Sequence, residues 1–270
     1  MKILDAEIAC EVIRPRLSET HKGDYGRVLV VGGSEPYGGA AILAASASVY
    51  SGAGLTFVAC AAENHAALTA RLPEAIYVDA KTASFEENLT RADVVLIGPG
   101  LGLGSGGLLE KVLRGLSAEQ TVILDGDAIT LWAKKATKTQ ARLIFTPHQM
   151  ELERLSGLAI GSQTDAALQA FVEKVGAIIV AKGPETRIAR PGWEMEKVIQ
   201  GVPAQATGGM GDTLAGMIAG FVAQFHSDQA VSAAVWLHAE IAGKLAESQY
   251  VVLPTAIISQ IPFEMHNVIK

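Results

Sequence analysis

Apolar positions along the chain form two alternating patterns: short continuous apolar runs, and longer segments with apolar residues on one side only. Short continuous runs predict strands that are buried on both faces. They occupy residues 27–31, 55–60, 75–78, 93–98, 121–124, 142–145 and 177–181. The segments between them predict helices, among them 40–50, whose small residues can pack very close to a sheet. Strands that alternate with helices indicate a parallel sheet with right-handed crossovers.

The beginning and the last third of the chain depart from this alternation. Residues 5–17 predict an amphipathic helix that ends near Pro15 and precedes the sheet. Residues 186–190 and 194–199, separated by a Pro-Gly turn, predict a β-hairpin. Closing helices are predicted at 214–225, 229–247 and 255–267. Since no low-complexity linker, repeat or charge block interrupts the chain, we expect one domain over residues 1–270.

Glycine-rich or polar breaks directly follow several of the predicted strands. They are residues 32–39, 98–104, 125–127, 146–148 and 182–186. In an open α/β sheet the carboxyl ends of parallel strands share one edge, and ligands bind there. We therefore expect these breaks to line one crevice, together with the glycine-rich segment 208–212.

The glycine-rich turn at 207–213 leads directly into the apolar segment 214–225. Apolar residues three and four apart mark one helix face there, so Gly211 and Asp212 should lie in the first helical turn. The free amides and the dipole of a helix start bind anions. Asp212 would repel a bound phosphate unless it had a chemical task, and the task we assign is general base. The alternative is an ordinary helix cap beside a structural turn.

Composition and charge narrow the range of functions. Hydrophobic residues make up 49% of the chain, which suits a sheet covered by helices on both faces. A net charge of -6 without clustered Lys and Arg argues against nucleic-acid binding. The chain lacks the apolar core of a signal peptide and any apolar run that could span a bilayer, so we expect a cytoplasmic protein. Cys10 and Cys60 lack metal-ligand spacing, so we expect reduced thiols and assign no metal ligand.

One motif supports a competing interpretation. Residues 102–107 satisfy the Gly-x-Gly-x-x-Gly fingerprint of dinucleotide-binding proteins, and Asp125 lies at a spacing suited to a ribose contact. This pattern would suit a nicotinamide-dependent oxidoreductase. Three points argue against this interpretation. The motif lies in mid-chain, Pro99 stiffens its turn, and the interpretation leaves residues 208–212 without a role. No Gly-x-x-x-x-Gly-Lys-Ser/Thr motif occurs, so a Walker-type nucleoside triphosphatase is not expected.

Two side chains at the predicted ligand edge allow two interpretations each. His148 either contacts a ligand or caps the helix that follows it. Lys182 either supplies positive charge to the site or is an ordinary exposed lysine. The remaining histidines form no constellation and are interpreted as structural: His21, His65, His226, His238 and His266.

Taken together, these segments resemble a known group of enzymes. Residues 208–213 are similar to the Gly-Gly-x-Gly-Asp signature of ribokinase-like kinases. The narrower resemblance is to the nucleotide-dependent NAD(P)H-hydrate dehydratases, and it extends from about residue 23 to the closing helices. Its further motifs are residues 25–41, 98–102, 146–151 and 182–186. Departures from the usual pattern are Gln149 and Met150 in place of Pro-Gly, Met210 in place of Ser or Thr, and Asp-Gly-Asp at 125–127.

The resemblance implies a ribokinase-like α/β fold, with a central, mostly parallel sheet flanked by helices on both faces. It implies repair of the S form of hydrated NADH or NADPH. A nucleotide phosphorylates the added hydroxyl, and phosphate then leaves to restore the reduced nicotinamide. Bacterial relatives favour ADP over ATP, which gives AMP and phosphate, and Mg²⁺ is expected. The alternatives are a ribokinase-like kinase of a vitamin or sugar hydroxyl, and a nucleotide-binding relative without turnover.

The resemblance also assigns residues and partners. Asp212 is the catalytic residue. The implied substrate-binding residues are Ala40, Gly102, His148 and Asp212. The implied nucleotide-binding residues are Lys182, Gly183, Pro184, Glu185, Thr186, Gly208, Gly209 and Gly211. The family suggests a homo-oligomer, with a tetramer as the expected state. It also suggests a separate NAD(P)H-hydrate epimerase as functional partner, since the epimerase domain that some members carry is missing.

Overall fold

In the computed structural model, which describes residues 1–269, ten strands form one continuous sheet. The strands are β1 (Lys2–Ile3), β2 (Arg27–Val31), β3 (Leu55–Ala59), β4 (Ile76–Tyr77), β5 (Val94–Ile97), β6 (Thr121–Leu124), β7 (Arg142–Phe145), β8 (Ile178–Ala181), β9 (Thr186–Ala189) and β10 (Glu196–Val198). Their order across the sheet is β1-β10-β9-β8-β7-β6-β5-β2-β3-β4. β9 runs antiparallel to β8 and β10, and the other pairs are parallel. The predicted, mostly parallel sheet is therefore confirmed.

Helices cover both faces of the sheet, as expected. They are α1 (Ala6–Val12), α2 (Gly38–Tyr50), α3 (His65–Arg71), α4 (Ala83–Arg91), α5 (Gly106–Gly115), α6 (Asp127–Lys134), α7 (Gln149–Ser156), α8 (Asp165–Val175), α9 (Met210–Gln224), α10 (Ala230–Ala246) and α11 (Pro254–Val268). Strand side chains alternate between two cores. Val28 and Val30 join the core with α1, α2, α9, α10 and α11, whereas Leu29 and Val31 join the core with α4 to α8.

The strand order reverses between β2 and β5. From β2 the chain proceeds outward to β3 and β4, then returns to the other side of β2 and continues through β5 to β8. Such a switch point opens a crevice at the carboxyl ends of its two strands. The glycine-rich breaks at 32–39 and 98–104 follow these two strands and therefore lie at that crevice.

Close packing of α2 against α9 fixes the start of α9 relative to the sheet. A Cβ atom on Gly216 would lie 2.1 Å from the carbonyl oxygen of Ala44, and one on Gly220 would lie 2.8 Å from that of Ser48. Both distances are too short for any side chain. The small residues of α2, predicted to approach the sheet, thus also allow a close approach to α9.

The structure corrects several sequence-based boundaries. The first helix ends at Val12 instead of near Pro15, because Ile13 is already extended. Arg14, the residue before Pro15, is also disfavoured in a helix. The short strand β1 was not predicted, and it pairs in parallel with β10. Helices α4 and α8 were also missed. α4 buries only Phe85 and Leu89, so few apolar residues mark its position in the sequence.

Two further expectations concern thiols and membranes. Cys10 and Cys60 are both free in the part of the chain that the structure describes. Within residues 1–269, no helix combines the length and the apolar content that crossing a bilayer requires.

Candidate active site

The glycine-rich turn ends in α9, which begins at Met210. Its N-cap is Gly209, with a φ of 90° in the left-handed region, and a Cβ there would lie 2.4 Å from Leu43. Asp212 lies in the first turn, as predicted, and is not the cap. Within the described residues no side chain caps this helix, so its first-turn amides are available to an anion.

A buried ion pair holds a positive charge at the same edge of the sheet. Asp125 follows β6 and is 3% exposed. Its Oδ1 accepts hydrogen bonds from Lys182 Nζ at 2.8 Å and from Thr146 Oγ1 at 2.6 Å. The backbone amide of Lys182 donates to the carbonyl of Pro147 at 2.8 Å. Lys182 is therefore not an ordinary exposed lysine.

The Lys182 ammonium lies against the first turn of α9. A Cβ atom on Gly211 would be 3.0 Å from Lys182 Nζ. The free amides of the helix start and the ammonium thus approach each other. Free helix-start amides beside an ammonium are an arrangement suited to phosphate groups, and the predicted anion site stays a prediction.

Asp212 and Lys182 have shifted pKa values. Burial raises the pKa of Asp212 to about 6; the carboxylates of Asp125 and Glu151 also raise it, and Lys182 opposes them. Burial disfavours the charged form of Lys182, but attraction to Asp125 and Glu151 outweighs it, so the Lys182 pKa is raised. A carboxyl group with a pKa near neutrality, beside a permanent positive charge, is suited to general-base chemistry.

His148 caps α7, and the capping interpretation is confirmed. Its Nδ1 accepts from the amides of Met150 at 3.1 Å and Glu151 at 3.4 Å, while a Glu151 carboxylate oxygen accepts from the His148 amide at 2.9 Å. Because Nδ1 accepts, we assign the proton of the neutral ring to Nε2. The ring remains half-exposed. Its contact with a ligand stays a prediction.

A cavity of about 660 Å³ opens between the end of β8, the β9–β10 hairpin, α9 and α10. This volume is typical of a small-molecule site. The predicted site residues that line it are His148, Lys182, Gly183, Pro184, Thr186 and Gly211. Apolar side chains form much of the remaining wall: Val198, Val202, Met210, Leu214 and Val235. Glu185 lies outside it, with its carboxylate 3.6 Å from Lys197 Nζ.

Ala40 and Gly102 lie further along the edge, at the switch point between β2 and β5. The Cβ of Ala40 is 3.2 Å from the position that a Cβ on Gly100 would take. The amide of Gly102 donates to Asp127 Oδ2 at 2.8 Å. The two loops are joined by hydrogen bonds from the amide of Gly33 to Pro99 O (2.8 Å) and from the amide of Ser34 to Gly100 O (2.7 Å). The edge thus has two regions, the cavity and this crevice.

The structure does not give the dinucleotide fingerprint at 102–107 the ribose-binding carboxylate that the sequence suggested. Asp125, the residue that should meet a ribose, is buried and paired with Lys182. Its Oδ1 accepts from Lys182 and Thr146, and its burial leaves little surface for a ribose held by that loop. This arrangement argues against the oxidoreductase interpretation.

Sequence reasoning gave Asp125 only the ribose contact of the competing interpretation, and it interpreted His238 as structural. His238 lies on α10, lines the cavity and is 6% exposed. Its Nε2 has no hydrogen-bond partner among residues 1–269. Burial lowers the His238 pKa to about 4, so the ring is neutral at physiological pH. It adds a neutral hydrogen-bonding group to the part of the wall that α10 contributes, which otherwise consists of Val235 and Ala239. Its one signal in the sequence is a polar ring within the apolar run of α10.

A mostly parallel α/β sheet whose carboxyl edge meets a Gly-Gly-x-Gly-Asp turn defines a ribokinase-like protein. A ribokinase-like superfamily protein from Enterococcus faecalis has the same fold, with a TM-score of 0.96 at 43% identity over 99% of this chain and 96% of that one. The family model described as NAD(P)H-hydrate dehydratase matches residues 28–263. The chain therefore belongs to the NAD(P)H-hydrate dehydratase family.

Two relatives with more specific names are similar over nearly their whole length. The ADP-dependent (S)-NAD(P)H-hydrate dehydratase of Lactococcus lactis is 52% identical, covering 97% of both chains. The ADP/ATP-dependent NAD(P)H-hydrate dehydratase of Bacillus subtilis, co-crystallised with ATP and Mg²⁺, has a TM-score of 0.88 at 27% identity, covering 100% of this chain and 99% of that one. The predicted family and fold are confirmed.

Proposed function

We propose that this chain is an ADP-dependent dehydratase of the S form of hydrated NADH and NADPH. The observation that carries the proposal is the position of Asp212, which shares the first turn of α9 with the anion site at Gly211 and Lys182. Phosphoryl transfer to a hydroxyl needs a base and an anion site close together. The name and high identity of the Lactococcus lactis relative support ADP as the donor.

The proposed reaction has two steps. In the first, the substrate hydroxyl gives its proton to Asp212 while its oxygen attacks the β-phosphorus of ADP, and AMP leaves. The first-turn amides of α9 and the Lys182 ammonium stabilise the charge on the transferred group. In the second, the C–O bond breaks, phosphate leaves with the bonding electrons, and the neighbouring ring carbon releases a proton to solvent. ADP and the hydrate thus give AMP, phosphate and NADH or NADPH.

We place the nucleotide in the 660 Å³ cavity and the hydrated nicotinamide toward the switch point. Lys182, Gly183, Pro184, Thr186 and Gly211 would contact ADP, with the backbone of Gly208 and Gly209 around its phosphates. Since the Glu185 carboxylate faces Lys197, we expect Glu185 to contribute through its backbone. Ala40, Gly102 and His148 would contact the hydrated dinucleotide.

Mg²⁺ enters the proposal with the nucleotide. In residues 1–269, no group of three His, Cys, Asp or Glu side chains is placed to hold a metal ion. Mg²⁺ commonly keeps several waters and binds through substrate phosphates with one or two carboxylates. We therefore expect it to arrive bound to ADP, where it neutralises phosphate charge.

We further propose that residues 1–270 act as one domain in a cytoplasmic homo-oligomer, with a separate epimerase supplying the S form. Large apolar side chains on the surface support subunit contacts: Tyr250 is 98% exposed and Phe263 is 64% exposed. Light scattering of the purified protein measures the mass. A monomer at micromolar concentration would contradict the oligomer.

A direct assay tests the proposed reaction. Hydrated NADH is mixed with the protein, Mg²⁺ and either ADP or ATP, and the near-ultraviolet absorbance of reduced nicotinamide is followed together with phosphate release. We expect recovery that requires ADP and releases one phosphate per NADH formed. A phosphorylated product without recovery would favour a small-molecule kinase. No recovery with either nucleotide would overturn the proposal.

We expect Gly211→Val to weaken ADP binding by at least about tenfold, equivalent to about 1.4 kcal/mol. Gly211 lies within α9, so the backbone accepts valine, but the new side chain would displace the Lys182 ammonium, only 3.0 Å from the Cβ position. Calorimetric titration with ADP and Mg²⁺ measures the affinity. Gly243→Val in α10 is the matched control, since its Cβ would meet open space. Equal affinities of the two variants would contradict the anion site.

A further inference from the structure

Asp125 has no part in the reaction steps above, although it lies at the centre of the site. It is buried, and its Oδ1 accepts hydrogen bonds from both Lys182 Nζ and Thr146 Oγ1. The strands β6, β7 and β8 are neighbours in the sheet. Each of them therefore contributes one side chain, just beyond its carboxyl end, to a single three-membered cluster.

Stability alone does not explain this cluster. A buried ion pair adds little to stability, because desolvating both charges offsets their attraction. The pair instead gives Lys182 a defined place. A lysine has a long flexible stem and a point charge at its end, so the ammonium needs an acceptor to stay beside the first turn of α9, where the Gly211 Cβ position is 3.0 Å away.

We infer that Asp125 is a positioning residue for phosphoryl transfer: it anchors the Lys182 ammonium below the first turn of α9, where the transferred group arrives. The inference rests on the proposed function, since it assigns Lys182 to the nucleotide. Both Lys182 and Thr146 donate to Oδ1 of Asp125, and Asp125 is buried and is not among the residues that line the cavity, so we assign it an action through its neighbours.

The charges around Asp212 connect it to the same cluster. The groups that face Asp212 are Asp125 after β6, Lys182 after β8 and Glu151 in α7. Both carboxylates favour the protonated form of Asp212, whereas the ammonium favours the ionised form. Removing the charge at position 125 should therefore lower the pKa of Asp212, and Asp212 should stay ionised at lower pH.

The test uses Asp125→Asn in the full chain. We expect kcat at pH 7 to fall on the order of 10²-fold, because the ammonium loses its charged acceptor and shifts. We also expect the acid limb of the kcat profile to move to lower pH. A residue with a purely structural role would reduce the active fraction without moving that limb. Thr146→Val is the matched control, since it removes the other hydrogen bond to Asp125 without changing charge, and its limb should stay in place.

Combination with Lys182→Met tests whether Asp125 acts through the lysine. If it does, the double variant should lose no more activity than Lys182→Met alone. Losses that multiply would overturn the inference. So would an acid limb of Asp125→Asn that coincides with that of the unmodified protein.

Carbon NMR titration of Asp212 in the nucleotide-free protein separates this inference from the proposed function, because it needs no turnover. Asp212 should titrate at lower pH in Asp125→Asn than in the unmodified protein. If this shift occurs while the unmodified protein restores no NADH, the reaction assignment fails and the link between Asp125 and Asp212 stands. If the titration is unchanged in a protein that restores NADH, the link is wrong and the reaction stands.

Discussion

Asp212→Asn is expected to lower kcat by about 10²- to 10⁴-fold and to leave ADP binding intact. Asparagine keeps the shape of the side chain but cannot take the hydroxyl proton. The first-turn amides of α9 and the Lys182 ammonium remain for the phosphates. Recovery of reduced nicotinamide and calorimetric ADP titration measure the two effects. Since Asp212 has a pKa of about 6, unmodified activity should fall as the pH drops through that value. A variant rate within tenfold of the unmodified protein would exclude Asp212 as the base.

The same variant should be at least as stable as the unmodified protein at pH 7. Folding raises the Asp212 pKa from 3.8 to about 6, so between these values the folded state binds more protons than the unfolded state. Stability therefore falls as the pH rises through this window, and ionised Asp212 destabilises the fold at neutral pH. Urea unfolding measures the change, with Asp228→Asn at an exposed carboxylate as control. A clear loss of stability in Asp212→Asn alone would show a structural role.

The central strands were predictable because burial on both faces leaves an unbroken apolar run. β2, β5, β6 and β8 are such runs, and each was located from the sequence to within two residues. β1 is only two residues long, and its pairing with β10 joins residues 2–3 to residues 196–197, which are distant in the chain. A local pattern carries no signal of that contact, so β1 was missed.

The residues of the site also divide into those marked by local sequence features and those that depend on long-range contacts. Asp212 was found because a glycine-rich turn and the helix after it are local features, and the capping role of His148 was considered for the same reason. The Asp125–Lys182 pair joins residues 57 positions apart and depends on the register of three strands. His238 lies on a predicted helix, but only the packing of the β9–β10 hairpin makes it a wall of the cavity. The features that sequence reasoning missed are therefore those that depend on long-range packing.

That hairpin is attached to α10 by a buried triad of Arg190, Glu196 and Ser232. A Glu196 carboxylate oxygen accepts from Ser232 Oγ at 2.6 Å and from the Arg190 guanidinium, which also donates to Ser232. Glu196→Ala would leave the guanidinium buried without its counter-charge. We expect the free energy of unfolding to fall by about 3–5 kcal/mol, the usual result of removing one partner of a buried pair.

Because the hairpin and α10 also form walls of the cavity, Glu196→Ala should weaken ADP binding as well. Glu196→Gln keeps an acceptor for Ser232 and should lose less stability than the alanine variant. Glu194→Ala is the matched control, since Glu194 precedes the same strand but is exposed, and it should change stability by less than about 0.5 kcal/mol. Urea unfolding of the three variants compares these losses. If Glu196→Ala and Glu194→Ala were equally stable, the triad would not be what holds the hairpin to α10.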